Sequence, residues 1–159
     1  MEEAYIAPEI EEEEDDTVKN KYLTFIIEDE VFGIDIGRVI EIISVPTITW
    51  IPENPDATKG IINLRGSIIP VIDVRIRFHK EEREYDALTC IIVIEHEQNQ
   101  IGLIVDTVNE VIYIPKKFVS SPPNVKLKYQ NRFIKAIGKM HDKVQLLLDL
   151  DKFLYSETI

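Results

Sequence analysis

From Lys21 onward the apolar residues fall in short blocks of β-branched and aromatic types, separated by charged or Gly/Pro-containing breaks. That pattern predicts short strands, and helical periodicity is scarce. Tyr22–Ile27, then Glu28-Asp29-Glu30, then Val31–Ile34 predict a hairpin. Further strands are expected at Gly60–Leu64, Ser67–Ile72, Leu88–Glu95, Gln100–Val105, Val108–Ile114, Phe133–Met140 and Val144–Leu148. Two short helices are expected. One spans Ile36–Ile43 with Asp35 as its N-cap, the other Asp149–Ser156 with Asp149 as the cap. The stretch Lys116–Gln130 has no clear period and is expected to be loop with one turn.

The pattern repeats. Sliding the chain by 69 residues aligns Gly33 with Gly102, Ile34 with Leu103, Val39 with Val108, Glu41 with Glu110, Ile42 with Val111 and Pro46 with Pro115. A shift of 76 continues the match, pairing Ile61 with Ile137, Ile68 with Val144, Ile72 with Leu148 and Asp73 with Asp149. The seven-residue change between the two shifts reads as a difference in loop length. Two copies of roughly 65 residues with about five strands each predict an all-β protein of two small barrels side by side, which also removes exposed sheet edges.

Charge adds a separate element. The 159 residues carry 18 Lys+Arg against 29 Asp+Glu, a net charge of −11. Residues 1–19 alone hold nine acids and one base, a balance of −8, leaving −3 for residues 20–159. So acidic and apolar-poor a segment is expected to be a disordered tail, acting as a solvated arm or as an electrostatic lure for a basic partner. The start lacks the basic and apolar regions of a secretory signal, and no apolar run approaches the ~20 residues of a membrane helix, so a cytoplasmic location is expected. The single cysteine, Cys90, lies in the β-branched run ending at Ile94 and is expected to be a small core residue.

Catalytic chemistry finds little foothold. His79, His96 and His141 are isolated, with no second His or Cys at metal-ligand spacing. Phosphate-binding, nucleophile-elbow and redox motifs are absent from the sequence. Asp73 and Asp149 stand at the ends of corresponding strands and are more simply read as turn or helix caps. The rival reading is a carboxylate-dependent ligand-binding or hydrolytic barrel built on Asp73, Asp149 and Glu41. No basic stripe is evident, so phosphate would repel the chain and nucleic acid is not an expected partner. Trp50 is expected to be partly buried at a strand end. Arg65-Gly66 reads as a hairpin tip between two apolar strands, with Gly66 free to adopt a positive φ. Pro70 removes a ladder donor, so its strand should be an edge or carry a bulge. An arginine at such a tip can hold carboxylates or carbonyls of a protein partner in its fork.

The run Lys59–Phe78, with Asn63-Leu64-Arg65-Gly66 and Ile69-Pro70-Val71-Ile72-Asp73-Val74-Arg75, resembles the hallmark of the CheW family of bacterial chemotaxis coupling proteins. The resemblance extends from Tyr22 to Leu154 and includes Gly33-Ile34-Asp35-Ile36, Val39-Ile40-Glu41-Ile42 and Gly102–Asp106. It implies two intertwined, five-stranded SH3-like barrels with a groove between them, within one domain over residues 20–159. The subdomains would lie at about 21–85 and 86–155, with terminal elements exchanged. It implies a non-catalytic adaptor, without cofactor, metal or membrane insertion, that bridges the cytoplasmic tip of methyl-accepting chemoreceptors to the regulatory domain of the histidine kinase CheA. Positions implicated in receptor or kinase coupling correspond to Val39, Glu41, Gly60, Arg65 and Val111. Cys90 departs from the aliphatic residue common in the family, and the acidic leader lies outside the resemblance.

Overall fold

A computed structural model describes residues 18–51, 58–122 and 132–155. Residues 1–17 of the tail expected over 1–19 lie outside these, as do 123–130 of the expected loop, while Val18 and Lys19 form a turn before β1. The apolar blocks form β1 (Lys21–Ile27), β2 (Glu30–Asp35), β3 (Val39–Ser44), β4 (Thr58–Leu64), β5 (Ser67–Asp73), β6 (Cys90–His96), β7 (Asn99–Val105), β8 (Thr107–Tyr113), β9 (Val119–Ser120), β10 (Ile134–Met140) and β11 (Lys143–Leu148). Two short helices, α1 (Val74–Arg77) and α2 (Leu150–Tyr155), follow β5 and β11.

The expected helix at Ile36–Ile43 is not formed. A single 3-10 turn, Ile36–Arg38, leads directly into β3, and Asp35 makes no side-chain capping bond. Isoleucine and valine from position 39 onward pack better on a pleated surface than on a helix. The second expected helix is present, with the Lys152 amide donating to Asp149 Oδ1 at 3.1 Å. Its counterpart α1 is capped in the same manner, the Arg75 amide donating to Asp73 Oδ1 at 2.9 Å. The described part of Lys116–Gln130 holds a 3-10 turn, Lys116–Phe118, and the strand β9. Trp50 is 70% exposed rather than partly buried, and Cys90 is half-buried against the main core.

The strands form two sheets, ordered β8-β1-β2-β11-β10-β9 and β3-β6-β7-β5-β4. Neither sheet is drawn from one half of the chain. Residues 21–35 contribute β1 and β2 to the first sheet, while β3–β5 go to the second beside β6 and β7. The exchange is joined by two equivalent parallel ladders, in which Leu147 pairs with Gly33 and Val71 with Gly102. Both glycines are needed there. A Cβ on Gly33 would lie 2.9 Å from Leu147 Cδ2, and one on Gly102 would lie 2.9 Å from Val71 Cγ1 and 2.7 Å from Ile91 Cγ2.

The repeat extends to irregularities in the strands. One residue of β3 is skipped between Val39 and Glu41 opposite β6, and one of β8 between Val108 and Glu110 opposite β1, an offset of 69. The β4–β5 ladder shifts between Thr58 and Gly60, and β10–β11 between Ile134 and Ala136, an offset of 76. Such bulges bend a strand, and here they curl both sheets. Each then closes alike. The chain leaving β3 returns to β4 through paired backbone bonds between Thr49 and Ile61 (2.8 and 2.9 Å), and the chain leaving β8 returns to β10 as β9. The result is the expected all-β pair of five-stranded barrels, each sealed by a short extra segment.

The largest core lies between the two sheets. Leu23, Phe25, Ile27, Phe32 and Ile34 of the first meet Ile92, Ile94, Leu103 and Val105 of the second. A chain of rings, Phe25–Phe32–Phe78–Phe133–Phe153, runs through it with neighbouring centroids 5.0–6.0 Å apart. The opposite faces line smaller barrel interiors. Ile91 and Val93 join Ile62, Ile69, Val71 and Ile104, while Tyr22 joins Ile114 and Leu147. Burial on both faces explains why β6 is a continuous apolar run rather than an alternating one.

Candidate docking site at the seam of the five-stranded sheet

In the β3-β6-β7-β5-β4 sheet, β3 and β4 are the outermost strands, and the barrel closes where the chain after β3 bonds to β4 at Thr49 and Ile61. Arg65 and Gly66 form the two-residue turn after β4, with φ of 51° and 90°. Both values match a type I′ turn, whose twist suits the flanking strands. The Gly66 amide donates to Asn63 Oδ1 at 2.9 Å, which fixes the turn from inside. From this tip the Arg65 guanidinium crosses the seam and donates to the Glu41 carboxylate on β3. Arg65 is 69% exposed and Glu41 28%. A pair so wet contributes on the order of 0–1 kcal/mol to stability, so its charges remain available at the surface.

Gly60 sits nearby on β4, buried, and its lack of a side chain serves the chain itself. A Cβ there would lie 2.3 Å from the Thr49 carbonyl oxygen, the atom that closes the barrel by accepting from the Ile61 amide. Ile40 and Ile42 flank Glu41 on β3 and are 44% and 43% exposed, and Ile68, beyond the turn on β5, is 61% exposed. Exposed isoleucines thus stand next to the ion pair along the chain, on β3 and just past the turn. Val39 is half-buried against the central core. Val111 is 54% exposed on β8, in the other sheet, so the structure gathers Glu41, Gly60 and Arg65 at one seam and leaves Val111 on the second barrel.

Pro70 lies within an inner strand, β5, rather than a full edge. The parallel ladder to β7 begins one residue later, at Val71, so the proline occupies the part of β5 with no partner on that side. The gap opens as a cleft of about 500 Å³ between Ser67–Pro70 and Gln98–Ile101.

The three acids of the carboxylate-dependent alternative do not converge on shared partners. Asp73 is 2% exposed, caps α1 and accepts from the Tyr85 hydroxyl at 2.7 Å; Asp149 caps α2; Glu41 faces Arg65. Burial raises the Asp73 pKa despite those two hydrogen bonds, and burial together with the Asp73 carboxylate raises that of Tyr85. Among the described residues no group of three or more His, Cys, Asp or Glu is placed to hold a metal ion. No helix of the described residues is long and apolar enough to cross a membrane.

Arg75 and Asp106 stand within the sequence motifs, where no role is expected of them. Arg75 Nε and Nη2 donate to the two oxygens of Asp106 at 2.8 Å each, both side chains being 9% exposed. Asp106 also accepts from the Glu28 amide in the β1–β2 turn at 2.8 Å. The pair therefore ties α1 and the β7–β8 junction to the other sheet. Burial disfavours the Asp106 charge, but the bonds from Arg75 and the Glu28 amide, with the charges of Arg75 and Arg83, outweigh it and hold the carboxyl below its ordinary range. Only an Arg–Asp pair split by 31 residues would have signalled this, and no local pattern does.

Three comparisons bear on this architecture. A family described as the CheW-like domain matches residues 21–158. The chain is 33% identical over 142 residues to the chemotaxis protein CheW of Klebsiella aerogenes, covering 89% of this chain and 86% of that protein. It is 31% identical over 141 residues to the CheW of Treponema pallidum, covering 86% and 83%. Among solved structures, the scaffolding protein TtCheW from Thermoanaerobacter tengcongensis superposes with a TM-score of 0.79 at 38% identity, covering 86% of this chain and 92% of that one. With the family matched over nearly all of the double barrel, the chain belongs to the CheW family.

Proposed function

We propose that this chain is a non-catalytic adaptor that couples methyl-accepting chemoreceptors to the histidine kinase CheA. It acts in the cytoplasm, where the receptor arrays recruit it. Val39, Glu41, Gly60, Arg65 and Val111 are assigned to the coupling surface. The observation that carries the reading is the Glu41–Arg65 pair at the seam. It is too exposed to matter much for folding, yet a type I′ turn and a bulged strand hold it in place among exposed isoleucines. An apolar patch with a fixed charge pair suits recognition of a protein surface, where an arginine fork sets register and aliphatic contacts supply affinity.

Each residue has a distinct part in this reading. Arg65 offers its remaining donors to carboxylates or carbonyls of the receptor tip, and Glu41 orients it. Gly60 acts indirectly, by letting the Thr49 strand seal the barrel beneath the patch. Val39 anchors β3 to the core, while Val111 carries apolar contact on the second barrel. Signal passes by geometry, both partners being held at once. The test is a pull-down of purified chain with a CheA regulatory domain and a soluble receptor-tip fragment. Wild type should retain both, and Arg65→Ala should retain CheA but lose the receptor fragment. Retention of neither by wild type would overturn the adaptor reading.

A further inference from the structure

The sequence shows no basic stripe, yet its bases are unevenly placed. From Lys116 to Lys143 the chain carries eight lysine or arginine residues and one acid, Asp142, a balance of +7. Residues 1–17 carry nine acids and no base, a balance of −9. These are the two strongest charge concentrations in the chain, and they are opposite.

The described part of the basic segment folds onto the closing edge of the six-stranded sheet. The turn Lys116–Phe118 leads into β9, which pairs with β10 through Val119↔Gly138 and Ser120↔Ile137. A depression of about 450 Å³ opens there, lined by Lys117, Phe118, Lys139, Met140 and His141 among others. Phe118 is 43% exposed in it, with the Lys117 ammonium 5.3 Å from the ring centroid. Among the described residues, Lys116, Lys117, Lys139 and Lys143 enter no ion pair, whereas Lys59, Lys80 and Lys135 do.

The chain path joins the two. The Ile114 amide donates to the Asn20 carbonyl at 2.9 Å, and Lys21 pairs with Tyr113. The residues that lead out of the acidic segment therefore lie beside those that lead into Lys116 and Lys117. Fifteen residues can span up to about 50 Å, far more than this edge requires. A short tether supplies a local concentration of roughly millimolar order, and opposite charges within about 10 Å attract at moderate salt.

We propose that the acidic N-terminal segment, residues 2–16, docks in this same molecule on the lysine-rich edge formed by the 116–118 turn, β9 and the β10–β11 turn. The edge is then covered by the chain's own segment, and an acidic protein surface reaching for it must displace that segment.

Amide ¹H–¹⁵N spectra of the full chain test this, compared with a full-length variant whose nine N-terminal acids are replaced by Gln or Asn. At low salt the amides of Val119, Ser120, Gly138 and His141 should differ between the two, while those of β3 and β4 coincide. Raising salt to roughly 0.5 M should move the wild-type spectrum toward the variant's. Lys117→Glu combined with Lys139→Glu, both at the surface, should abolish the low-salt difference. Coincident spectra at the β9–β10 edge at low salt would overturn the proposal, as would differences confined to the five-stranded barrel.

Discussion

Arg65 and Glu41 stand 24 residues apart in sequence, on the turn after one outermost strand and within the other, and they meet because the sheet closes on itself. The pair spans the seam where the chain after β3 closes on β4. Its exposure separates binding from folding, which makes it open to mutation.

Arg65→Ala should leave the melting temperature within about 2–4 °C of wild type, as expected for a loss below about 1 kcal/mol in a chain of this size. Receptor-fragment retention should nonetheless fall at least tenfold. Glu41→Lys should do the same through charge repulsion with Arg65. A variant that melts normally and binds normally would remove these residues from the coupling surface.

Gly102→Ala should destabilise by about 1–3 kcal/mol, since its methyl group meets Ile91 and Val71 inside van der Waals distance. Gly33→Ala should behave similarly against Leu147. Gly37→Ala, with nothing within 4 Å, is the control and should stay within about 0.5 kcal/mol. Urea midpoints decide the order.

Asp106→Asn should cost about 3 kcal/mol, because it takes from the buried Arg75 guanidinium its two-oxygen partner and leaves the half-exposed Glu28, at 3.5 Å, as the ion-pair partner that remains. The pH dependence has a definite sign. The folded pKa of Asp106 lies below the ordinary 3.8, so its contribution is complete above that value and is lost as the pH falls through the folded pKa. Wild type should lose stability over that acid range more steeply than Asp106→Asn. Equal slopes in urea titrations from pH 6 downward would remove the carboxylate from this role.

Phe78→Ala should cost about 3–5 kcal/mol, as Phe78 touches Phe32, Phe133 and Phe153 at the centre of the ring chain. Because Phe78 follows β5 and α1 at the end of one sheet while Phe32 lies on β2 of the other, the loss should appear as one lowered transition rather than two. Calorimetry distinguishes the cases.

Much of this architecture was legible in the chain. Strand positions followed from β-branched blocks, and the offsets of 69 and 76 are realised in bulges and parallel ladders residue for residue. The caps at Asp73 and Asp149 also followed from that repeat. What local pattern does not carry is the choice of partner. Alternation along β1 says which side chains share a face, but not that β1 will lie beside β8 rather than β3. For the same reason Arg65 could be placed at a tip while its meeting with Glu41 could not. At Ile36–Ile43, Asp35 resembles a helix cap, but the β-branched run favours the pleated strand β3.

The exchange of strands between the sheets bears on how the molecule is made. When a ribosome has released only β1 to β5, it has produced two fragments of different barrels, each lacking its neighbours. The five-stranded sheet waits for β6 and β7, and the other for β8, β10 and β11 near the end of the chain. Such long-range pairing folds slowly and leaves strand edges open in the meantime. A nascent first half is therefore a substrate for chaperones, and splitting the gene between the repeats should yield two insoluble pieces that become soluble only when expressed together.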